Sequence, residues 1–312
     1  MRYTAIAALS VFTLALTGCG GGSDDVAVNA KQNITIQFAA QANGADVKCG
    51  AVNRINNLGA SSQTAQLQDL RFYIADIKLI NSQGQLKTVS LNKNNYQNYG
   101  VALLDFEDAT GACENNATGT AGTNTAVVGE VEAGTYTGIQ FLLGVPDTGV
   151  DSTGKTIALS HSDVMTAQAP LDIMSMGWSW QLGRRFVKIE LQPDGQVTDT
   201  ETSSKSPTWF LHLGATDCVD APDTPALYSC SKPNLNTISL NSFNPSTQKV
   251  ALDLTALFAN TDIAVNKKTT MGCMSETNDT DCPEIFNAMG IDLATGKKST
   301  THTQTMFKVI NK

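Results

Sequence analysis

Three histidines, three tryptophans and seven cysteines are the side chains of this 312-residue chain best suited to chemistry. Two of the histidines lie in or near the two segments that hold every tryptophan. The first runs from Ser160-His161-Ser162-Asp163 through Pro170-Leu171-Asp172 to Met176-Gly177-Trp178-Ser179-Trp180-Gln181, and the second is Trp209-Phe210-Leu211-His212-Leu213-Gly214. In extended backbone Trp178 and Trp180 share a face with Met176, while His212 sits opposite Trp209, Leu211 and Leu213. If those three pack a core, His212 looks the other way. Two chemistries fit the composition. Aromatic stripes commonly anchor cores, which makes His212 a hydrogen-bonded, partly buried imidazole. A soft or borderline metal site is the sharper reading, because imidazoles suit copper and methionine thioethers suit Cu(I). Spacing alone does not separate the two. Hydrolase chemistry finds little support: there is no Gly-x-Ser-x-Gly elbow, three histidines leave little for a triad, and the carboxylates show no diagnostic spacing.

The cysteines argue for an oxidising compartment. Met1–Gly18 reads as a secretory leader, with Arg2 as its positive end and Ala5–Leu16 as an apolar stretch too short for a comfortable membrane span. It ends in Leu16-Thr17-Gly18-Cys19, which resembles the bacterial lipobox, so Cys19 is the expected lipidation site. Gly20 follows where an Asp would favour inner-membrane retention. The expected destination is therefore the outer membrane, facing the periplasm or the cell surface. Residues 19–30 then form a flexible tether, and the lipid is the sole expected membrane contact. Six cysteines remain, most simply as three disulfides. Fifteen pairings are open, though short separation favours Cys218–Cys230 and Cys273–Cys282, leaving Cys49–Cys113. Each closure contributes roughly 3 kcal/mol on the chain-entropy model. Thiolate metal ligation is the rival reading, but no Cys-x-x-Cys pair occurs.

The elements that must position these groups read as β-structure. Hydrophobic residues make up 41% of the chain and charged ones only 16%, enough to bury a core. Ile34–Phe38 alternates apolar and polar, and Leu70–Ile80 is apolar at both parities in its middle, as in a central strand. Thr137, Ile139, Phe141, Leu143 and Val145 share one parity, as do Arg185, Val187, Ile189 and Leu191. Val101–Phe106, Thr208–Leu213, Thr237–Phe243, Val250–Leu254 and Thr305–Ile310 add further strand candidates. Turn chemistry separates them, and Cys282–Met289 is the best short helix. The expectation is an all-β fold, a β-sandwich with long loops stapled by disulfides and little helix, forming one domain over residues 31–312. Asp199–Pro207 looks more like a long hairpin loop than a domain boundary. A net charge of −8, from 21 basic and 29 acidic side chains, excludes a nucleic-acid binder, which needs a clustered basic surface.

Ordered blocks along the chain carry a more specific signal. They are Ile34–Phe38 with Cys49-Gly50, Leu70–Ile74, Gly111-Ala112-Cys113, Ile139–Pro146, His161-Ser162-Asp163, Pro170-Leu171 and Met176–Gln181. His212–Cys218, Cys230 with Pro233-Asn234, and Gly272–Ser275 with Cys282 complete the series. In this order they resemble the MbnP-like copper-binding proteins, the four-Cys members of the metallo-mystery pair. One departure is Arg184-Arg185, which follows Gly183 where the family has an aromatic-then-basic pair. The resemblance implies a secreted, noncatalytic copper-binding protein whose partner is a dihaem cytochrome c peroxidase-like enzyme that oxidises a tryptophan to kynurenine. By position it makes His161 and His212 the metal ligands and Trp178 or Trp180 the oxidised residue. Asp163 becomes either an oxygen ligand or the acceptor that fixes the His161 tautomer. Met176 is a thioether candidate or a gap-filler in the core. His302 lies outside the matched blocks and reads as solvated. The alternative reading is a structural or adhesive envelope module with no metal.

Overall fold

The computed structural model describes residues 30–115, 120, 122–179, 183–267 and 270–312. The expected leader, Cys19 and the tether up to residue 29 lie outside them. Two sheets face each other. In the first, β1 (Lys31–Ala42) lies between β4 (Ala126–Glu132) and β11 (Gln248–Asp253), with β12 (Phe307–Asn311) on the outer edge of β11. The pairing of β1 with β11 is parallel, Phe38 opposite Val250, and the others are antiparallel. The second sheet is built on β2 (Gln63–Asn81), a 19-residue strand long enough to pair with several partners along its length. Its order is β7 (Trp209–Leu213), β6 (Val187–Pro193), β2, β5 (Tyr136–Leu143) and β10 (Asn236–Leu240), with β3 (Val101–Asp105) also on β2.

Period-2 alternation explains the core between the sheets. Ile36, Phe38, Ala40 and Ala42 share one face of β1, and all are buried. Phe38 and Phe307 from the first sheet meet Phe72 and Phe141 from the second, with ring centroids 5.2–6.4 Å apart. Such edge-on and tilted contacts each add about 0.5–1.5 kcal/mol beyond area burial. Trp209, Leu211 and Leu213 point into this core, and Trp209 packs edge-on against Phe258 at 5.6 Å.

The second face of the β2 sheet is buried as well, which accounts for the double-parity run in β2. It carries charge: Asp69 and Arg71 on β2, Lys188 and Glu190 on β6, and His212 on β7 are all buried. Strand register puts Lys188 opposite both Arg71 and His212, and Glu190 opposite Asp69. Arg71 Nε donates to Asp69 at 2.8 Å, and Lys188 bridges Asp69 and Glu190. Deleting one member of such a buried ionic chain leaves its partner unpaired, at a cost of about 3–5 kcal/mol.

Long connections form the lid over this charged face. One is the segment 159–186, which Tyr73 fixes by donating its hydroxyl to the Pro170 carbonyl at 2.8 Å. The Cys273 segment instead extends the sheet at its β7 edge, through Cys273 N–H to Phe210 O and His212 N–H to Cys273 O. Beside the short helix α1 (Leu254–Leu257) stands α2 (Cys282–Met289). Its Cys282, Ile285, Phe286 and Met289 fall on one buried stripe, and Gly290 at φ +69° ends it. The β-strands β8 (Thr216–Ala221) and β9 (Leu227–Lys232) make a separate hairpin. Three disulfides join Cys49 to Cys113, Cys218 to Cys230 and Cys273 to Cys282, the last two being the pairs favoured by short separation and the first the pair they leave. Residues 199–207 turn a small hairpin in which Val197 faces Ser206. No helix among the described residues is long and apolar enough to cross a membrane.

Candidate metal centre

Trp178 is the hub of the covering layer. Gly177-Trp178 pairs with Gly183-Arg184, a tight hairpin that leaves the indole buried. Glycine makes room for it: a Cβ on Gly214 would stand 2.5 Å from Trp178 Cε3 and Cζ3, so the backbone just past β7 lies against the indole. Trp178 walls two cavities. The first, about 600 Å³, is also lined by His161, Asp163, Met174, Arg184 and Tyr228. Arg185, Phe210, His212, Met274 and Glu276 line the second with it, about 450 Å³.

His161 is buried at the inner end of the first cavity, its ring centroid 5.0 Å from that of Tyr228 on β9. Its Nε2 lies 3.2 Å from Cys230 Sγ. A disulfide sulfur carries no proton, so the imidazole is the donor and Nδ1 is the lone-pair nitrogen of the neutral ring. A Cβ on Gly183 would come within 3.0 Å of Nδ1, which is why this strand can pass so close. Asp163 is exposed at the rim and caps its own turn, accepting from Met165 N–H at 2.9 Å. Met174 stands 57% exposed on the same cavity, whereas Met176 is fully buried in the core. Met176 is therefore a packing residue.

Arg184 is a buried guanidinium held by neutral oxygens. It donates to Leu171 O at 2.7 Å and 3.0 Å, to Ser162 O at 2.6 Å and to Ser162 Oγ at 3.1 Å. Burial presses its pKa below the ordinary arginine value, partly offset by Tyr73, Asp163 and Asp172. It clamps the two loops that frame the cavity and places a positive charge there.

His212 is bracketed instead. Arg185 Nε can only donate, and it reaches His212 Nδ1 at 3.2 Å, so the proton sits on Nε2 and is given to Glu190 Oε1 at 2.9 Å. Burial lowers the His212 pKa and Arg185 adds to that, against the opposing pull of Glu190. Burial also opposes ionisation of Glu190, but His212 and Lys188 outweigh it and its pKa falls. Arg185 is itself anchored on the carbonyls of Ser175 and Gly177, beside Trp178.

Among the described residues, the sets of three or more His, Cys, Asp or Glu donors lying within 4.8 Å of one another are His161–Cys218–Cys230 and Cys49–Glu107–Cys113. His161, Asp163 and His212 do not form such a set. His161 and Asp163 share one cavity, His212 the adjoining one, and the Trp178 indole stands between. Trp180 lies outside the described residues, and His302 is exposed on the far side near Glu284. Sequence reasoning passed over Glu190 and Tyr228, and gave Arg185, Gly183 and Gly214 no role at the site. A signal existed for the first: Lys188 and Glu190 alternate with buried Val187, Ile189 and Leu191, which reads as a solvated face unless something covers it.

The donor chemistry of the first cavity fits a copper ion: an imidazole, a carboxylate and a thioether. His212 fits in part, since ligation at Nδ1 requires Arg185 to withdraw. The MbnP family model matches residues 31–275. A solved structure, MbnP from Methylosinus trichosporium, is 37% identical and superposes with a TM-score of 0.81, covering 90% of this chain and 99% of that one. Among curated proteins, none matches.

Proposed function

The chain belongs to the MbnP family, and from that premise we propose that it is a copper-binding envelope lipoprotein, anchored by a lipid on Cys19. Its ion is held around Trp178, by His161 from the first cavity and by His212 from the second once Arg185 has moved off Nδ1. Asp163 supplies an oxygen at the rim. As a member of this accessory family the protein is a substrate of redox chemistry and not its catalyst.

One observation carries the reading: the buried indole of Trp178 separates the two imidazole-bearing cavities. An indole is a poor copper ligand. Its conversion to kynurenine, in which the indole 2,3-bond is cleaved by two equivalents of peroxide and the lost ring carbon leaves as formate, supplies an aniline nitrogen and a carbonyl oxygen between the histidines. A dihaem cytochrome c peroxidase-like partner would deliver those oxidising equivalents. Trp180 is the other candidate for the same change.

Titration of mature protein with Cu(I) and Cu(II), before and after treatment with the partner, tests this. Binding tighter than about micromolar is expected after treatment. His161→Ala and His212→Ala should each weaken it by more than about tenfold while leaving the near-ultraviolet circular dichroism intact. Peptide mapping should find Trp178 or Trp180 heavier by about 4 Da. Unchanged affinity in both histidine variants, or three unmodified tryptophans in protein from a host expressing the partner, would refute the assignment and favour a metal-free structural module.

A further inference from the structure

We propose that reduction of the Cys218–Cys230 disulfide creates, beside His161, a site with two thiolates and one imidazole, suited to Cu(I). The inference rests on the copper reading above only for the identity of the ion. Cys218 and Cys230 face each other across the β8–β9 hairpin, and Cys230 Sγ touches His161 Nε2 at 3.2 Å. All three donor atoms already lie within 4.8 Å of one another, close to the span of a coordination sphere. Joined as a disulfide, the sulfurs are weak donors. Separated, they are the softest ligands in the chain, and with an imidazole they make a set that selects Cu(I).

Access singles this pair out. Cys49, Cys113, Cys273 and Cys282 are buried, whereas Cys218 and Cys230 are partly exposed on a hairpin outside the two main sheets. A small dithiol can therefore reach this bond first. Opening it need not open the hairpin, which is also paired at Thr216–Lys232, Val219–Ser229, Asp220–Tyr228 and Ala221–Leu227 and tied by Lys232 to Asp217.

The chemistry balances as follows. A dithiol gives two electrons and two protons to the Cys218–Cys230 bond; its own sulfurs become a disulfide, and the two cysteines become thiols. Cu(I) then bonds both sulfurs and His161 Nε2, whose proton passes to Nδ1 of the same ring; it displaces the two thiol protons and keeps its oxidation state.

Mature protein is reduced anaerobically with dithiothreitol, desalted, and titrated with Cu(I) against a chromophoric Cu(I) chelator, beside the oxidised protein. Alkylation and peptide mapping report which cysteines opened. Expected are modification at Cys218 and Cys230 with the other four protected, and a Cu(I) affinity higher by about a hundredfold or more in the reduced form. A sulfur-to-copper charge-transfer band should accompany it. The gain should vanish in the C218S/C230S double variant and shrink by more than about tenfold in H161A. Three results would each overturn the proposal: equal affinity in the two redox states, a gain that survives in C218S/C230S, or earlier opening of the buried disulfides. Copper taken up by the oxidised protein tests the reading of the previous subsection and leaves this comparison independent.

Discussion

Asp105, at the end of β3, has no exposed surface and sits beside Arg71 and Glu107. Burial pushes its carboxyl up to about 6, although the Thr120 hydroxyl, the Arg71 charge and the Glu107 amide all pull it down. Between its ordinary value of 3.8 and about 6 the native protein holds a proton that the unfolded chain has released. Stability from this group is therefore present at acid pH and lost as pH rises through that window. Asp105→Asn removes the titration, so the stability gap between variant and wild type should move in the variant's favour by about 2–3 kcal/mol between about pH 4 and about pH 7. Denaturant unfolding at the two pH values measures this, and a constant gap would sink it. The residue types for such chemistry are visible in the sequence; their environments are not. His161 and His212 stand out by rarity and by neighbouring tryptophans, yet nothing in the spacing shows that Glu190 and Arg185 occupy both nitrogens of His212. Cross-strand partners depend on register, and the register of β6 against β7 is set by the whole sheet.

Elements were more legible than the surfaces between them. Alternation marks the buried faces of β1 and β5, the three- and four-residue spacing marks α2, and the polar run before Pro207 marks a hairpin. The covering layer escapes such reading because its ties to the sheet, such as Tyr73 to Pro170 and Arg185 to His212, follow no repeating pattern. The junction of β7 with this layer is a close approach. Gly214→Ala would set a methyl 2.5 Å from the Trp178 ring and 2.6 Å from the Arg184 carbonyl, where neither can retreat within a packed hairpin. A loss of about 1–3 kcal/mol is expected, with a changed near-ultraviolet spectrum from the displaced indole. A variant with wild-type midpoint and spectrum would mean that the strand and the ring are not in contact.

For the molecule as a whole, composition and turn chemistry indicated an all-β sandwich, and the ordered Cys, Trp and His blocks pointed to its family. The crosslinks differ in reach. Cys49–Cys113 spans 64 residues, against 12 for Cys218–Cys230 and 9 for Cys273–Cys282. On the chain-entropy model the first restricts the unfolded chain most, about 4 kcal/mol against about 3 kcal/mol for each of the others. Removing it as C49A/C113A should therefore lower the denaturant midpoint more than C218A/C230A does; the reverse order would show that native packing, not loop closure, dominates. The parallel seam between β1 and β11 has a further consequence, for the order of synthesis. Strand β1 waits on one flank for residues 248–253, which are synthesised long after it. Any nascent product halted before that point displays an open row of amides and carbonyls, a ready template for clumping and a mark for proteolytic clearance.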